Sequence, residues 1–366
     1  MVILIFRSLI SPKLRIYVLA VDGEFAGFVS LMECLRHDIQ KGDAIDVILI
    51  LSKWKHETLD MLYESATNSK IIRGGVVTKH VQQALLTQPR CLVTVTERAS
   101  WNFFLSEVQY ADSVMELPPS LLALRDSLFQ ELKLANDEYV LMSVYTKDYE
   151  RERNPRFLET VRLLETHGDD LVEGIDFIRS QNLGVVMVGS PDTGRSRVLR
   201  EFPRLAEFGK LGGPQEVALA SGCRFFWTDN VGAWWLIAPF QRPVLHTNFH
   251  HKTPLHPTAG RDLYVPRRYM TPEGKTLSLR EMLYREGSPN KAALRGELVM
   301  IRNSPAEIVE AHQEMMARID GSWIETPSMR ARHNHVVKLY SNYRAQPLHP
   351  MRIAASFLER HEELLR

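Results

Sequence analysis

The sequence lacks any apolar run that could cross a membrane as a helix. No window holds the ~18 consecutive apolar residues that such a helix needs. The apolar start of the chain is interrupted by Arg7 and Pro12, and it carries neither the basic segment nor the small-residue cleavage site of a secretory signal. We therefore expect a cytoplasmic protein, and the sequence leaves open a peripheral contact with the inner membrane.

Cysteine is scarce, and the three cysteines at positions 34, 91 and 223 form no C-x-x-C pair. This spacing argues against a zinc ribbon and a disulfide framework, and it is typical of a reducing compartment. An excess of charge is also missing, because 45 Lys and Arg residues face 44 Asp and Glu residues. That balance argues against nucleic acid as a partner. The oligomeric state stays open.

Segments with strand and helix character alternate in the first third of the chain. Residues 13–21 and 45–51 are short apolar runs, as expected of strands that are buried on both faces. Residues 25–40 repeat apolar positions at helical spacing, and residues 91–95 resume strand character. This alternation predicts βαβ units around a parallel sheet, and therefore an α/β fold.

The alternation restarts near residue 138, after a helix that is predicted at 117–137. Further strands are predicted at 138–146, 184–190, 223–228 and 242–248. A chain of 366 residues is long enough for two domains of about 150 residues each. The predicted division is a first domain at 1–135, a second domain at 138–325, and a C-terminal extension with an amphipathic helix at 326–366.

The segment after Phe249 is rich in turns and basic residues. We expect ordered loops over residues 250–283. A solvated loop is predicted at 267–270 (RRYM), and the alternative for it is a contact with an anionic acceptor or a lipid headgroup. A helix follows at 303–319. Its start is marked by Asn303 or Ser304 as a cap, by Pro305 in the first turn and by Glu307 as the second half of a capping box.

A polar corner interrupts the apolar segment 227–249. Asp229, Asn230 and Gly232 follow a predicted strand and precede a predicted helix. Parallel α/β sheets bind ligands at this edge, because the amides of helix starts attract anions and glycine permits a close approach of the backbone. We predict an anion site here, although any strand-to-helix turn favours the same residue types.

Two more strand ends are expected at the same edge. One carries Gly189 and Asp192, and the other ends at Asn248. Arg195 and Arg197 follow the first of these ends, and guanidinium groups bind phosphate oxygens bidentately. Together these residues favour a diphosphate ligand. The alternative for each arginine is a solvated surface charge.

Three segments, YVLMSVYT, CRFFWTDNVGAWWLIAPFQRPVLHTNF and NSPAEIVEAHQEM, occur in an order that resembles a family of bacterial glycosyltransferases linked to surface polysaccharides. The resemblance covers residues 138–320. That family belongs to the GT-B group and is distantly similar to protein O-fucosyltransferases. The resemblance implies two Rossmann-like domains that face each other across a cleft. The C-terminal domain would bind a nucleotide-sugar, and the N-terminal domain would bind a glycan or glycolipid-type acceptor.

The resemblance also implies transfer without a metal ion or a resident cofactor, because helix starts and basic side chains can stabilise the departing diphosphate. In agreement with this, the sequence contains no Asp-x-Asp motif. The residues expected to bind the donor are Gly189, Asp192, Arg195, Arg197, Asp229, Asn230, Gly232 and Asn248.

An inverting transfer needs a general base near the acceptor hydroxyl. The loop VDGEFAG follows the first predicted strand, and its acidic residues Asp22 and Glu24 are the candidates for this base. Gly23 and Gly27 would let the acceptor approach the backbone closely. The alternative is an ordinary Asp-Gly turn beside a helix start. The sequence does not distinguish inversion from retention.

Four histidines, at positions 246, 250, 251 and 256, suggest a metal site, but their spacing matches no zinc signature. We predict histidines in solvated loops and no bound metal.

Two other functions stay open at this point. One is a sugar-nucleotide epimerase with the same architecture, and the other is a non-catalytic binding or scaffold protein. The second is favoured by Ser143, Val144 and Tyr145, which stand where the glycosyltransferase family often has a His-x-Arg sequence.

Overall fold

The computed structural model describes the chain in segments. They are residues 14–20, 29, 32–33, 36, 45–51, 57–67, 69–74, 91–93, 114–143, 168–188, 213–229, 236–249, 261–344 and 352–366. The chain divides into two compact units, Met1–Leu124 with Gly212–Ala218 and Arg125–Leu211 with Leu219–Arg366. The domain roles assigned from the sequence stay predictions.

The first unit contains a four-stranded parallel sheet with the strand order β3-β2-β1-β4. Its strands are β1 Leu14–Ala20, β2 Ile45–Leu51, β3 Lys70–Gly74 and β4 Cys91–Val93, and helix α1 spans Glu57–Thr67. The strands predicted at 13–21, 45–51 and 91–95 are therefore confirmed, and so is their parallel pairing.

A buried ion pair ties α1 to the helical residues that follow β1. Tyr63 Oη donates a hydrogen bond to Glu33 Oε1 at 2.8 Å, and Arg36 Nη2 donates to Glu33 Oε2 at 2.8 Å. All three side chains are buried. A buried carboxylate is tolerated when its oxygens are paired in this way, because both its charge and its hydrogen-bonding capacity are then satisfied.

The second unit contains a six-stranded sheet in which every strand runs in the same direction. The strand order is β12-β9-β8-β7-β5-β6. The strands are β5 Tyr139–Ser143, β6 Gly184–Met187, β7 Phe225–Thr228, β8 Val244–Phe249, β9 Leu263–Pro266 and β12 Arg352–Ile353. The C-terminal segment thus adds an edge strand to the sheet in addition to the helical structure predicted for it.

Helices accompany this sheet along the chain. They are α2 Pro119–Leu132, α3 Val172–Ser180, α4 Pro214–Ala220, α5 Leu279–Tyr284, α6 Pro289–Leu294, α7 Pro305–Ile319, α8 Pro327–Arg344 and α9 Ala355–Arg360. Short 3₁₀ turns lie at Gly168–Leu171, Ala238–Phe240 and Glu362–Leu365. Among the described helices, none is long and apolar enough to cross a membrane.

Helix α7 begins as the sequence predicts. Ser304 is the cap, its hydroxyl accepts from the Glu307 amide, and the Glu307 carboxylate accepts from the Ser304 amide at 2.7 Å. Helix α7 packs against α3. Gly174 permits this approach, because a Cβ at that position would lie 3.0 Å from the side chains of Ile308 and Trp227.

The segment predicted as loops after Phe249 contains regular structure. Strand β9 belongs to the large sheet, and β10 Arg268–Met270 pairs antiparallel with β11 Val299–Ile301. The prediction of a solvated loop at 267–270 is wrong. Arg267 and Tyr269 are buried there. Residues 268–270 form β10, which pairs with β11 much later in the chain, and the local sequence pattern gives no sign of that partner.

His312 is a fully buried histidine in the core of the second unit. Its ring centroid lies 4.3 Å from that of Trp227 and 5.7 Å from that of Phe225. Neither ring nitrogen has a hydrogen-bond partner among the described residues. Burial lowers the pKa of His312 to about 3, so the folded protein holds this ring neutral at neutral pH.

This burial makes stability depend on pH. The pKa of His312 is about 3 when folded, against an ordinary value of 6.5, so the unfolded chain binds the extra proton as the pH falls below 6.5. The stability that depends on the neutral His312 ring is therefore fully present above pH 6.5 and decreases as the pH falls toward 3. We expect His312→Leu to make this loss shallower by up to about 1.4 kcal/mol per pH unit.

Urea unfolding measured at several pH values tests this expectation. The exposed His335 provides the control, since His335→Leu should leave the pH dependence unchanged. An unaltered slope in the His312→Leu protein would contradict the assignment of acid sensitivity to this residue.

Candidate functional site

The parallel pairing of the large sheet brings the ends of several strands to one edge. Ser143 pairs with Thr228 in the register of β5 and β7, and Thr228 pairs with His246 in the register of β7 and β8. Phe249 pairs with Pro266 where β8 and β9 end. We call this the carboxyl edge, and it is where parallel α/β sheets generally bind ligands.

Buried polar side chains are concentrated at the carboxyl edge, although the strands that lead to it are largely apolar. They are Ser143, Thr228, Asp229, Thr247, Asn248, Arg267 and Asn303. Polar groups are costly to bury unless they are paired or serve a ligand. The partners of each one therefore indicate which atoms a ligand could use.

Asn248 and Asn303 bond to each other reciprocally across the carboxyl edge. The Asn248 amide donates to Asn303 Oδ1, and the Asn303 amide donates to Asn248 Oδ1 at 2.8 Å. Asn303 Nδ2 also donates to the Pro266 carbonyl at 3.0 Å. Since Asn303 directly precedes the cap of α7, this pair fixes the start of α7 at the carboxyl edge.

The conformation of Asn248 explains why a small amide side chain stands there. Its φ is +50°, in the left-handed region that asparagine tolerates better than most residues. The β8–β9 register shifts between His246 and Phe249, which places Asn248 in an irregular part of the strand. Its Nδ2 has no hydrogen-bond partner among the described residues and stays available as a donor.

Arg267 is an arginine that follows β9 and is only 3% exposed. Burial lowers the pKa of its guanidinium, while Tyr269 and the Asp229 carboxylate oppose that shift. The ordinary pKa of arginine is so high that Arg267 stays cationic. Its Nε has no hydrogen-bond partner among the described residues. The carboxyl edge therefore holds a nearly buried cation that interacts electrostatically with Asp229.

The start of α7 lies at the same edge but already holds a carboxylate. Glu307 is buried, occupies the capping box, and contacts His361 Nε2 at 2.5 Å and Arg268 Nη2 at 3.8 Å. Burial raises the pKa of Glu307, but hydrogen bonds and nearby cations, chiefly the bond with His361, leave it below its usual range. The start of a helix attracts negative charge, and at the start of α7 the Glu307 carboxylate of the protein itself supplies that charge. Arg267 is therefore the better candidate for an external phosphate.

His246 lies in β8, within the strand predicted at 242–248, but its side chain is buried and not solvated as predicted. Its ring is 3% exposed and stacks on Tyr264, with the ring centroids 4.9 Å apart and the planes 5° from parallel. Burial lowers its pKa to about 3. Positions 250, 251 and 256 lie outside the described residues. Within the described part of the chain, no three His, Cys, Asp or Glu residues are grouped as a metal ion requires.

Two of the residues predicted to bind the donor, Asp229 and Asn248, are described, and both lie at the carboxyl edge. The others lie outside the described residues, namely Gly189, Asp192, Arg195, Arg197, Asn230 and Gly232. Outside them too are the proposed base residues Asp22 and Glu24 and the acceptor-side Gly23 and Gly27. All these roles stay predictions.

Arg267 was missed in the sequence analysis as a member of this site. The signal that could have found it is its position directly after the apolar run LYVP, the place where a parallel strand delivers a side chain to the carboxyl edge. The run is short and has basic and turn-forming residues on both sides, so the sequence pattern predicted a loop in place of β9.

Comparison with solved structures identifies related folds. A glycosyl transferase of family 9 from Veillonella parvula DSM 2008 matches 84% of this chain and 98% of its own, with 9% sequence identity and a TM-score of 0.51. The fold is of the GT-B class. This assignment concerns architecture alone, because the sequence identity is low.

Two further structures match with lower scores. The ADP-heptose LPS heptosyltransferase II of E. coli matches 84% of this chain and 99% of its own at 11% identity, with a TM-score of 0.49. A UDP-GlcNAc 2-epimerase from Methanocaldococcus jannaschii matches 69% of this chain and 89% of its own at 12% identity, with a TM-score of 0.34. Neither protein-family models nor curated proteins match the sequence.

The bonds of Asn303 make a prediction about stability. Asn303→Asp removes the hydrogen bond to Pro266 and sets a carboxylate oxygen against that carbonyl. We expect a loss of roughly 1–3 kcal/mol in the free energy of unfolding, the usual cost of leaving buried polar groups unsatisfied.

The matched control is Asn334→Asp, at an exposed position of α8, which should change stability by no more than about 0.5 kcal/mol. Urea unfolding of the two variants measures both effects. If both lost equally little, the hydrogen bond from Asn303 Nδ2 to the Pro266 carbonyl would not contribute to holding the start of α7 at the sheet.

Proposed function

We propose that this protein is a glycosyltransferase that moves a sugar from a nucleotide-sugar donor to a glycan or glycolipid-type acceptor in bacterial surface polysaccharide synthesis. The observation that supports it most is the nearly buried Arg267 beside Asp229 at the carboxyl edge of a parallel sheet. The GT-B fold, shared with a glycosyl transferase, and the resemblance of residues 138–320 both agree with this function.

The diphosphate of the donor would lie against Arg267. A guanidinium offers paired N–H donors to phosphate oxygens, and near-complete burial strengthens that attraction because water no longer competes. The negative charge on the diphosphate grows as the glycosidic bond breaks. A fixed cation placed there stabilises the transition state more than the bound donor, which is the condition for catalysis.

The neutral and acidic groups of the edge would orient the rest of the donor. Asn248 Nδ2 is a buried donor with no partner among the described residues, and it suits an oxygen of the donor. The Asp229 carboxylate can accept hydrogen bonds from the hydroxyl groups of a ribose or a sugar, and its charge opposes that of Arg267. Arg195, Arg197 and the amides near Gly232 would add further contacts to the diphosphate.

The reaction needs a general base, and Asp22 and Glu24 are our candidates for it. As the acceptor oxygen bonds to the anomeric carbon, its proton must leave, and a carboxylate beside the hydroxyl would take it as general base. The bond from the anomeric carbon to the donor diphosphate breaks, and the diphosphate keeps the electron pair. Transfer by this route needs no metal ion, because Arg267 and its neighbours carry the positive charge that the leaving group requires.

A panel of nucleotide-sugars, compared by the rise in melting temperature they cause, tests donor binding. By linkage, a donor present at 100 times its dissociation constant adds roughly 2.7 kcal/mol of stability. Arg267→Met should weaken binding of the selected donor about 10- to 100-fold, since hydrogen bonds to a charged group are worth about 1.5–3 kcal/mol. Because this change leaves the buried Asp229 carboxylate less compensated, urea unfolding of the unliganded variant first checks that it folds. Arg267→Lys, which keeps the charge but loses the paired N–H donors, should fold and should weaken donor binding less.

Arg261 provides a matched control, since it precedes β9 and donates to the Gln241 carbonyl, whereas Arg267 follows the same strand. Arg261→Met should bind the donor normally. The proposal fails if no nucleotide-sugar stabilises the protein, or if the two variants bind alike. Isomerisation of the bound donor without any acceptor would instead indicate an epimerase.

A further inference from the structure

A second concave site lies away from the carboxyl edge, between α5, α8 and the last residues of the chain. It is a groove of about 280 Å³. Its lining residues are Arg280, Tyr284, His335, Lys338, Leu339, Asn342, Leu365 and Arg366. We call it the basic groove, because its ionisable lining residues are three cations and a histidine.

No described side chain neutralises the cations of the basic groove. Arg280, Lys338 and Arg366 form no ion pair with any of the described residues, whereas most described arginines do. Two carboxylates close in sequence to lining residues are engaged elsewhere, as Glu281 binds Lys275 at 2.6 Å and Glu362 binds Arg332 at 2.5 Å. The side chains that line the groove therefore keep a net positive charge.

The composition of α8 reinforces this charge. The helix carries Arg330, Arg332, Lys338 and Arg344 and contains no Asp or Glu over its 18 residues. Like charges along one helix repel each other and lower its stability. A bound anion would relieve that repulsion. Arg330 and Arg332 have carboxylate partners elsewhere, whereas Lys338 lines the groove and has no such partner among the described residues.

The remaining lining residues suit a sugar. Tyr284 is 54% exposed and its ring is held edge-on against Tyr343, with the centroids 5.4 Å apart. An exposed ring held in place can pack on the C–H face of a pyranose. Asn342 is exposed and offers both a donor and an acceptor to hydroxyl groups, and Leu339 and Leu365 add a small apolar surface.

We propose that the basic groove binds a phosphorylated saccharide. Its volume is near the lower limit of ligand sites, about 300 Å³, which suits one phosphorylated sugar unit. Its concave shape favours such a discrete ligand over a flat membrane surface. None of its lining residues belongs to the carboxyl edge, so this binding is separate from donor binding and does not rest on the proposed transfer reaction.

Calorimetry with glucose 6-phosphate, glucose and inorganic phosphate tests this proposal. We expect glucose 6-phosphate to bind more tightly than either of the other two, with an affinity that falls as salt is added. The double variant Arg280→Gln/Lys338→Gln should weaken the binding of glucose 6-phosphate by about tenfold or more, because each exposed charge contributes up to about a fivefold effect.

A control variant, Arg330→Gln/Lys291→Gln, removes the same charge from exposed positions outside the groove and should bind normally. Tyr284→Ala should weaken glucose 6-phosphate but not inorganic phosphate. Equal binding of inorganic phosphate and glucose 6-phosphate would overturn recognition of the sugar. Binding to vesicles of phosphatidylcholine and phosphatidylglycerol, without binding of glucose 6-phosphate, would show a membrane contact instead and overturn the proposal.

Discussion

The parallel direction of the strands in the large sheet is the constraint on which the candidate site depends. Five consecutive strands of the chain, β5 to β9, end at the same edge, so residues distant in sequence arrive there together. Each of these strands is largely apolar and buried, and the polar residues follow where the strand ends. The fold therefore brings buried polar residues from distant parts of the chain together at one edge of this sheet.

Keeping polar groups at that edge has a cost that the protein meets in two ways. Some groups are satisfied internally, as Asn248 and Asn303 are by each other and Glu307 is by its capping box and His361. Others keep unused capacity, as Arg267 Nε and Asn248 Nδ2 do among the described residues. A ligand could bind the two unused nitrogen atoms, Arg267 Nε and Asn248 Nδ2, without breaking the internal hydrogen bonds. This division separates the supporting structure from the proposed binding surface.

Burial affects the charge of a histidine and the charge of an arginine differently. His246 and His312 are held neutral by removal from water, at the cost of sensitivity to acid. An arginine keeps its charge under comparable burial because its ordinary pKa is several units higher. The same loss of water therefore yields neutral packing in one case and a fixed cation in the other. Only the fixed cation suits a phosphate.

Much of the fold was predictable from local patterns. The runs LRIYVLA and IDVILIL predict strands, and Ser304, Pro305 and Glu307 predict the start of α7. Strands β9 and β10 were not predictable in the same way, because the turn-forming and basic residues around them mask their character. The partners that bury Tyr269, and the pair Asn248–Asn303, join residues far apart in the chain. Periodicity in a single sequence carries no information about such partners.

Hydrogen exchange with mass spectrometry in the presence of a saturating nucleotide-sugar shows where on the protein the donor binds. If the donor binds at the carboxyl edge, the backbone amides that follow β7, β8 and β9 should exchange more slowly. Exchange at the opposite ends of the same strands should stay unchanged. Protection confined to those opposite ends or to α5 and α8, with none at the carboxyl edge, would rule out the carboxyl edge as the donor site.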